Sequence, residues 1–232
     1  MFLGSTEIDK AYLGSDLVFS SSVAPNPLQF ITYIETDGVA YINTGINGND
    51  PKSCEIKYLP KPYASALQAV LSSGNMADGS TSTYSLMYVS GNNLCCFGHN
   101  YLYTTGSPSI ANSINNGTPF VAKTNMARRS QKISVRQEGE TSDTSLSKTQ
   151  SSTITTNRPM FLFASNGTDG TAKNKCVSGS RIYYCKIYNT ASYTSLVFDG
   201  VPCTYYGEYG LWDNVSNAFF GNAAGSGAFT GA

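Results

Sequence analysis

The stretch Ser53-Cys54-Glu55-Ile56-Lys57-Tyr58 alternates small or polar side chains with apolar ones at every step. A period of two puts Cys54, Ile56 and Tyr58 on one face and Glu55 and Lys57 on the other, which is the pattern of a strand with one buried face. Lys132-Ile133-Ser134-Val135-Arg136 repeats it. Working outward, short apolar and aromatic runs separated by Gly, Asn and Ser clusters predict strands over 30–35, 40–44, 54–59, 66–71, 84–88, 94–97, 120–123, 132–137, 160–164, 180–188, 195–198 and 219–220. No stretch of helical length carries a 3.6-residue period with caps. So many short strands joined by turns predict an all-β sandwich of two sheets, of jelly-roll type. The polar, β-poor stretch 141–156 reads as a long loop or a weak strand pair at a sheet edge.

Composition narrows the function. The 232 residues carry no formal net charge, and charged residues make up only 13%, about half the usual share. Tyr (16) and Phe (11) are abundant. A neutral chain with no basic cluster beyond Arg128-Arg129 argues against nucleic acid as the main partner. No apolar run approaches ~18 residues, so no membrane span is expected. The start, Met1-Phe2-Leu3-Gly4-Ser5-Thr6-Glu7, lacks the basic and apolar regions of a signal peptide, so synthesis in the cytoplasm is expected. The six cysteines (Cys54, Cys95, Cys96, Cys176, Cys185, Cys203) form no metal-ligand pattern and read as reduced thiols; Cys185 and Cys203 are the pair to test for a bridge. Sequons at Asn116, Asn166 and Asn214 are no more than an Asn/Ser/Thr-rich chain supplies by chance.

Two unequal parts are expected. Residues 1–27 form an arm and linker, with two short strands around Gly14-Ser15-Asp16 and a stiffening Pro25-Asn26-Pro27. So small an arm has no core of its own and must pack on the body or on another chain. Its apolar residues Leu3, Ile8, Tyr12, Leu13, Leu17, Val18 and Phe19 are the candidate assembly contacts. Residues 28–232 form the sandwich.

Three stretches of that body resemble a known family. They are the run from Tyr33 to Ile46 (Tyr33-Ile34-Glu35-Thr36-Asp37-Gly38 onward), Arg181-Ile182-Tyr183-Tyr184-Cys185-Lys186-Ile187-Tyr188-Asn189, and a tail that runs from Val201-Pro202-Cys203 through Gly207-Glu208-Tyr209-Gly210-Leu211-Trp212-Asp213-Asn214-Val215 and Phe219-Phe220-Gly221-Asn222 to Gly225-Ser226-Gly227-Ala228-Phe229-Thr230. Together they resemble the concanavalin A-like (laminin-G-like) jelly-roll domains of phage virion proteins and gut-bacterial surface proteins. Trp212 stands where that pattern more often has Tyr. The tail glycines Gly207, Gly210, Gly221, Gly225 and Gly227 suit tight turns and positive φ, and Leu211, Val215, Phe219 and Phe220 suit a sheet face. The arm segment from Leu3 to Ser15 is similar to a short segment at the start of tailed-phage virion proteins. The resemblance implies a virion surface protein (a head fibre or capsid decoration, or a tail fibre), made in the host cytoplasm. It further implies docking on other virion proteins through the arm and a homo-oligomer, dimer or trimer. The alternatives are a carbohydrate-binding adhesin module and, behind it, a glycoside hydrolase.

The residues offer little catalytic chemistry. A retaining glycosidase needs two carboxylates about 5–5.5 Å apart. Only Glu138-Gly139-Glu140 has suitable spacing, and its Gly, Thr and Ser flanks read as a turn. The single His99 is joined by no nucleophile elbow. Two loops, 75–79 and 166–170, have Asn and Asp suited to weakly bound Ca²⁺, but one carboxylate each; no cofactor is expected. For glycans, which need aromatic faces beside hydroxyl and amide groups, two clusters qualify: His99, Asn100, Tyr101 and Tyr103, and then Tyr205, Tyr206 and Trp212.

Overall fold

The computed structural model describes residues 2–3, 6–7, 10–13, 16–20, 27–49, 52–59, 61, 68–74, 85–89, 93–97, 101–103, 117–127, 130–149 and 156–232. Among the described residues every regular element is a strand. The larger sheet runs Thr144–Lys148, Ser130–Gln137, Phe120–Ala127, Ser53–Leu59, Arg181–Tyr188, Leu196–Tyr205, Glu208–Asp213, Ala218–Phe220. The smaller runs Tyr101–Tyr103, Asn93–Phe97, Ser85–Val89, Gln68–Ser72, Pro159–Leu162, Ile42–Asn47. The two form an all-β sandwich of jelly-roll type, as the strand rhythm predicts.

One core holds the sheets together. Cys54, Ile56 and Tyr58 are buried as their alternation requires, and Glu55 and Lys57 lie on the opposite face. They meet Phe120, Ile133, Ile182, Ile187, Phe198 and Leu211 of the same sheet and Ile42, Val70, Leu71, Met160 and Leu162 of the other. Each fully buried side chain of this kind contributes about 1.5–3 kcal/mol against the cost of ordering the chain. The outer face of the larger sheet is ion-paired: Arg181 with Glu35 (2.6 Å), Lys57 with Glu138 (2.5 Å) and Lys123 with Glu55 (3.2 Å). A register shift between Ile182 and Tyr184 leaves Tyr183 and Tyr184 both half-buried, where strict alternation would bury one of them.

Several sequence expectations need correction. The strand expected over 30–35 is two strands. Leu28–Phe30 pairs with Leu196–Tyr205, whereas Ile34–Thr36 pairs with Arg181–Tyr188 and with Phe229–Gly231. The chain changes partners between them, and the oxygen of Ala232 accepts from the N–H groups of Thr32 (2.5 Å) and Tyr33 (3.2 Å) at the crossing. The strand expected over 195–198 runs on to Tyr205. The polar stretch 141–156 follows the second of its two readings: it contains an edge strand, Thr144–Lys148, whose Ser145 hydroxyl meets that of Ser134 at 2.7 Å. Val215 is not on a sheet face but in a turn, 44% exposed. Gly210 and Gly221 do not have positive φ; their lack of a side chain serves close packing instead.

In the arm, Phe2–Leu3 pairs with Thr6–Glu7 and Lys10–Leu13 with Asp16–Ser20. Leu13 stands opposite Asp16, so Asp16 belongs to the second strand rather than to the turn. Leu3, Tyr12, Leu13, Leu17, Val18 and Phe19 lie on these strands, and Ile8 lies outside the described residues.

Cys54, Cys176, Cys185 and Cys203 are buried thiols. Cys185 pairs with Gly200, three residues before Cys203 on the same strand. That separation is roughly 10 Å along the strand, beyond disulfide reach, and odd spacing turns the two side chains to opposite faces. Burial pushes the Cys176 thiol up to about 12. It also pushes Cys203 up to about 11, against a smaller opposing pull from the Trp212 backbone N–H. Both thiols therefore stay protonated near neutral pH.

Candidate functional site

The tail folds as two successive hairpins, and counting outward from each turn places its side chains. Leu196–Tyr205 and Glu208–Asp213 pair with Tyr205 opposite Glu208, Cys203 opposite Gly210 and Val201 opposite Trp212. Glu208–Asp213 and Ala218–Phe220 pair with Trp212 opposite Phe219 and Leu211 opposite Phe220. Leu211 is fully buried, Phe220 packs against the core, and the Phe198 and Phe220 rings meet edge-on at 5.3 Å. Alternation therefore sends Tyr205, Trp212 and Phe219 to the outer face.

There the three rings converge. Tyr205 lies 5.3 Å from Phe219 and 5.9 Å from Trp212, centroid to centroid. Gly210 is the reason they can. A Cβ on Gly210 would stand 2.7 Å from the Phe219 ring and would also meet the Phe220 carbonyl. The ring therefore lies across a backbone without a side chain, and the glycine supplies the close approach.

Tyr206 extends the cluster, its ring 4.6 Å from that of Tyr205. It is 76% exposed and has φ of 49°, followed by Gly207 at 83°. Two consecutive positive φ values make the primed hairpin turn that favours Asn, Asp or Gly at the first position. A large exposed aromatic in that place is locally strained, and strain of this kind concentrates at working surfaces. Phe30, opposite Cys203 and 59% exposed, and Leu28, opposite Tyr205, continue the apolar surface. The Tyr206 N–H donates to the Pro27 oxygen (2.9 Å), so the arm leaves the body beside this platform.

A polar groove adjoins it, lined by Gly207, Glu208, Tyr209, Asn222 and the loop 225–229. Asn222 holds the loop by donating to the oxygens of Ser226 (2.9 Å) and Gly227 (3.1 Å). Gly227, at φ of 73°, leaves no room for a side chain: a Cβ there would stand 2.6 Å from Asp37 Oδ2. Burial opposes ionisation of Asp37. The N–H groups of Ala40, Val39 and Ala228 outweigh it and hold that carboxyl below its ordinary value.

The other sequence candidates are dispersed. Tyr101 and Tyr103 lie on the edge strand of the smaller sheet, not with Tyr205 and Trp212. His99, Asn100 and the loop 75–79 lie outside the described residues. Glu138-Gly139-Glu140 is a turn with Gly139 at φ of 90°. Glu138 is paired with Lys57, and Glu140 accepts from the Gln137 N–H (3.1 Å). In loop 166–170 the Asp169 carboxylate is taken by the Thr171 N–H and hydroxyl and by Lys173, which hold its carboxyl well below the usual range. Asn166 of the same loop is buried and donates to the Pro159 oxygen. Among the described residues no three His, Cys, Asp or Glu side chains gather as metal ligands.

No family model and no curated protein matches the chain. Solved structures similar to it include domains LG4-5 of the mouse laminin alpha1 chain (TM-score 0.47, 10% identity, 70% of this chain and 43% of that one). Others are the enzymatically active domain of bacteriophage CBA120 tailspike protein 2 (TM-score 0.48, 8% identity, 72% and 28%) and the CBM40 of Ruminococcus gnavus IT-sialidase (TM-score 0.45, 14% identity, 70% and 89%). The chain thus spans under half of the laminin chain.

Proposed function

We propose that the sandwich is a glycan-binding domain displayed on the surface of a bacteriophage particle, as a head fibre, capsid decoration or tail fibre. The carrying observation is the platform of Tyr205, Trp212 and Phe219 over Gly210, extended by the strained, exposed Tyr206. Flat aromatic faces on a rigid sheet suit the C–H faces of sugar rings, and hydroxyls at their edges find the neighbouring polar groove. The acidic pair at the 138–140 turn is engaged by its own turn and by Lys57, which favours binding without hydrolysis. The particle assignment rests on the resemblance of the tail and arm segments to phage virion proteins.

Trp212 is the only tryptophan, so its fluorescence reports the platform alone. Titration with a panel of oligosaccharides should shift it saturably. Trp212→Ala should weaken binding measured by calorimetry about tenfold or more, the usual cost of removing an aromatic anchor. Tyr206→Asn should weaken binding too, yet leave the fold as stable or more so, by up to ~1 kcal/mol, because Asn accepts the turn's φ. A Tyr206→Asn protein that binds as well as wild type would remove Tyr206 from the site.

The arm is read as the assembly device. The full chain should sediment as a dimer or trimer, and a version lacking residues 1–27 as a folded monomer. The same number of subunits in both would exclude self-assembly through the arm.

A further inference from the structure

We infer that Glu208 is the polar anchor of this platform and that the site takes neutral sugars with adjacent hydroxyls while rejecting acidic ones. The inference rests on the glycan-binding reading above. Glu208 stands opposite Tyr205 in the ladder, which directs both side chains to the platform face. Glu208 is exposed and lines the groove that adjoins the rings. A Cβ placed on Gly221 would lie 3.0 Å from the Phe219 ring and 3.7 Å from Glu208 Oε2, so ring and carboxylate share one spot on the sheet.

The charge of Glu208 is available to a ligand. Among the described residues it forms no ion pair, while four cations of the same sheet face are engaged elsewhere: Arg181 with Glu35, Lys57 with Glu138, Lys123 with Glu55 and Lys186 with Asp199. The Asn222 amide, which also lines the groove, is committed to its own loop.

A carboxylate has two acceptor oxygens and no donor. Beside a ring face it can take the hydroxyls of two adjacent sugar carbons while the sugar's apolar side lies on Tyr205, Trp212 and Phe219. Charge-assisted bonds of this kind are the stronger class. The same carboxylate repels a sugar that carries its own, and among the described residues no cation pairs with Glu208 to offset that repulsion. The groove from Gly207 to Phe229 gives the rest of an oligosaccharide a path away from the rings.

The test uses the full chain and matched pairs of oligosaccharides that differ only in an acidic sugar, with affinities from calorimetry. Wild type should bind the neutral member at least about tenfold more tightly. Glu208→Gln keeps the shape of the side chain and removes its charge; it should lose about tenfold on the neutral ligand and narrow the neutral-to-acidic gap. Circular dichroism should show both proteins equally folded, since the side chain is exposed. Equal binding of neutral and acidic members by wild type, or an unchanged gap in Glu208→Gln while Trp212→Ala abolishes binding, would overturn this inference and leave the platform reading in place. Failure of wild type to bind any oligosaccharide would overturn both.

Discussion

Replacing Asp213 with alanine should destabilise the protein by about 3 kcal/mol, lowering the midpoint of thermal unfolding by roughly 6–12 °C for a domain of this size. Asp213 is 2% exposed, and its carboxylate holds together both hairpins of the tail. It accepts from the N–H of Asp199 (2.7 Å), from the N–H groups of Val215 and Ser216 (3.1 Å each) and from the Ser216 hydroxyl (2.5 Å). Alanine leaves those donors without an acceptor, and an unmet donor costs more than a made bond contributes. Asp213→Asn keeps one acceptor oxygen and should lose much less. Because the 214–217 turn returns the chain to Phe219, Asp213→Ala should also loosen the platform and change Trp212 fluorescence below the unfolding transition. A loss under 1 kcal/mol by calorimetry would mean the turn is held by something other than this carboxylate.

Gly210→Ala should cost about 2–3 kcal/mol, in the range of overpacked sites. Gly210 does not have positive φ, so the cost comes from collision rather than backbone strain. The added methyl would meet the Phe220 carbonyl, which the ladder fixes, and the Phe219 ring, which the platform needs. The stiffer unfolded chain returns at most ~1 kcal/mol. Gly221→Ala is the matched control: its methyl would meet Phe219 at 3.0 Å, and its nearest contacts are side chains rather than a carbonyl. It should be the milder of the two, and Gly210→Ala the one that weakens sugar binding. Equal behaviour of the pair would show that Phe219 can shift freely.

The sandwich was legible where one face of a strand is buried and the other wet. Cys54, Ile56 and Tyr58 against Glu55 and Lys57 are the clearest case, and Ile133 and Val135 the next. It was illegible where a strand is set by its partners. The step from Leu28–Phe30 to Ile34–Thr36 keeps an apolar, aromatic character throughout, and only the change of neighbouring strand breaks it. Thr144–Lys148, polar because it is an edge, was legible as one of two alternatives. At the site, Tyr205, Tyr206 and Trp212 could be named from their residue type. Phe219 read as part of a single sheet face with Leu211 and Phe220, although odd spacing from Phe220 already turns it outward. Glu208 and Phe30 were not singled out from their residue type. Glu208 could have been found by centring a two-residue turn on Tyr206-Gly207, which sets Tyr205 against Glu208 and Cys203 against Gly210. Phe30 needed the long-range pairing with Cys203, which no local pattern encodes.

The attachment of Leu28–Phe30 to the Cys203–Tyr205 segment gives the molecule a mechanical path. Tension that reaches the body at Pro27 loads the bond from Tyr206 N–H. Behind it stands a ladder of only three residue pairs, Leu28–Tyr205, Gln29–Thr204 and Phe30–Cys203. Force arriving there acts on the turn and strand that carry Tyr205 and Tyr206 before it reaches the Phe229–Gly231 strand or the core. Pulling at Pro27 would change the set of the aromatic rings while the sandwich stays folded, so the load is felt at the surface proposed here for sugar binding.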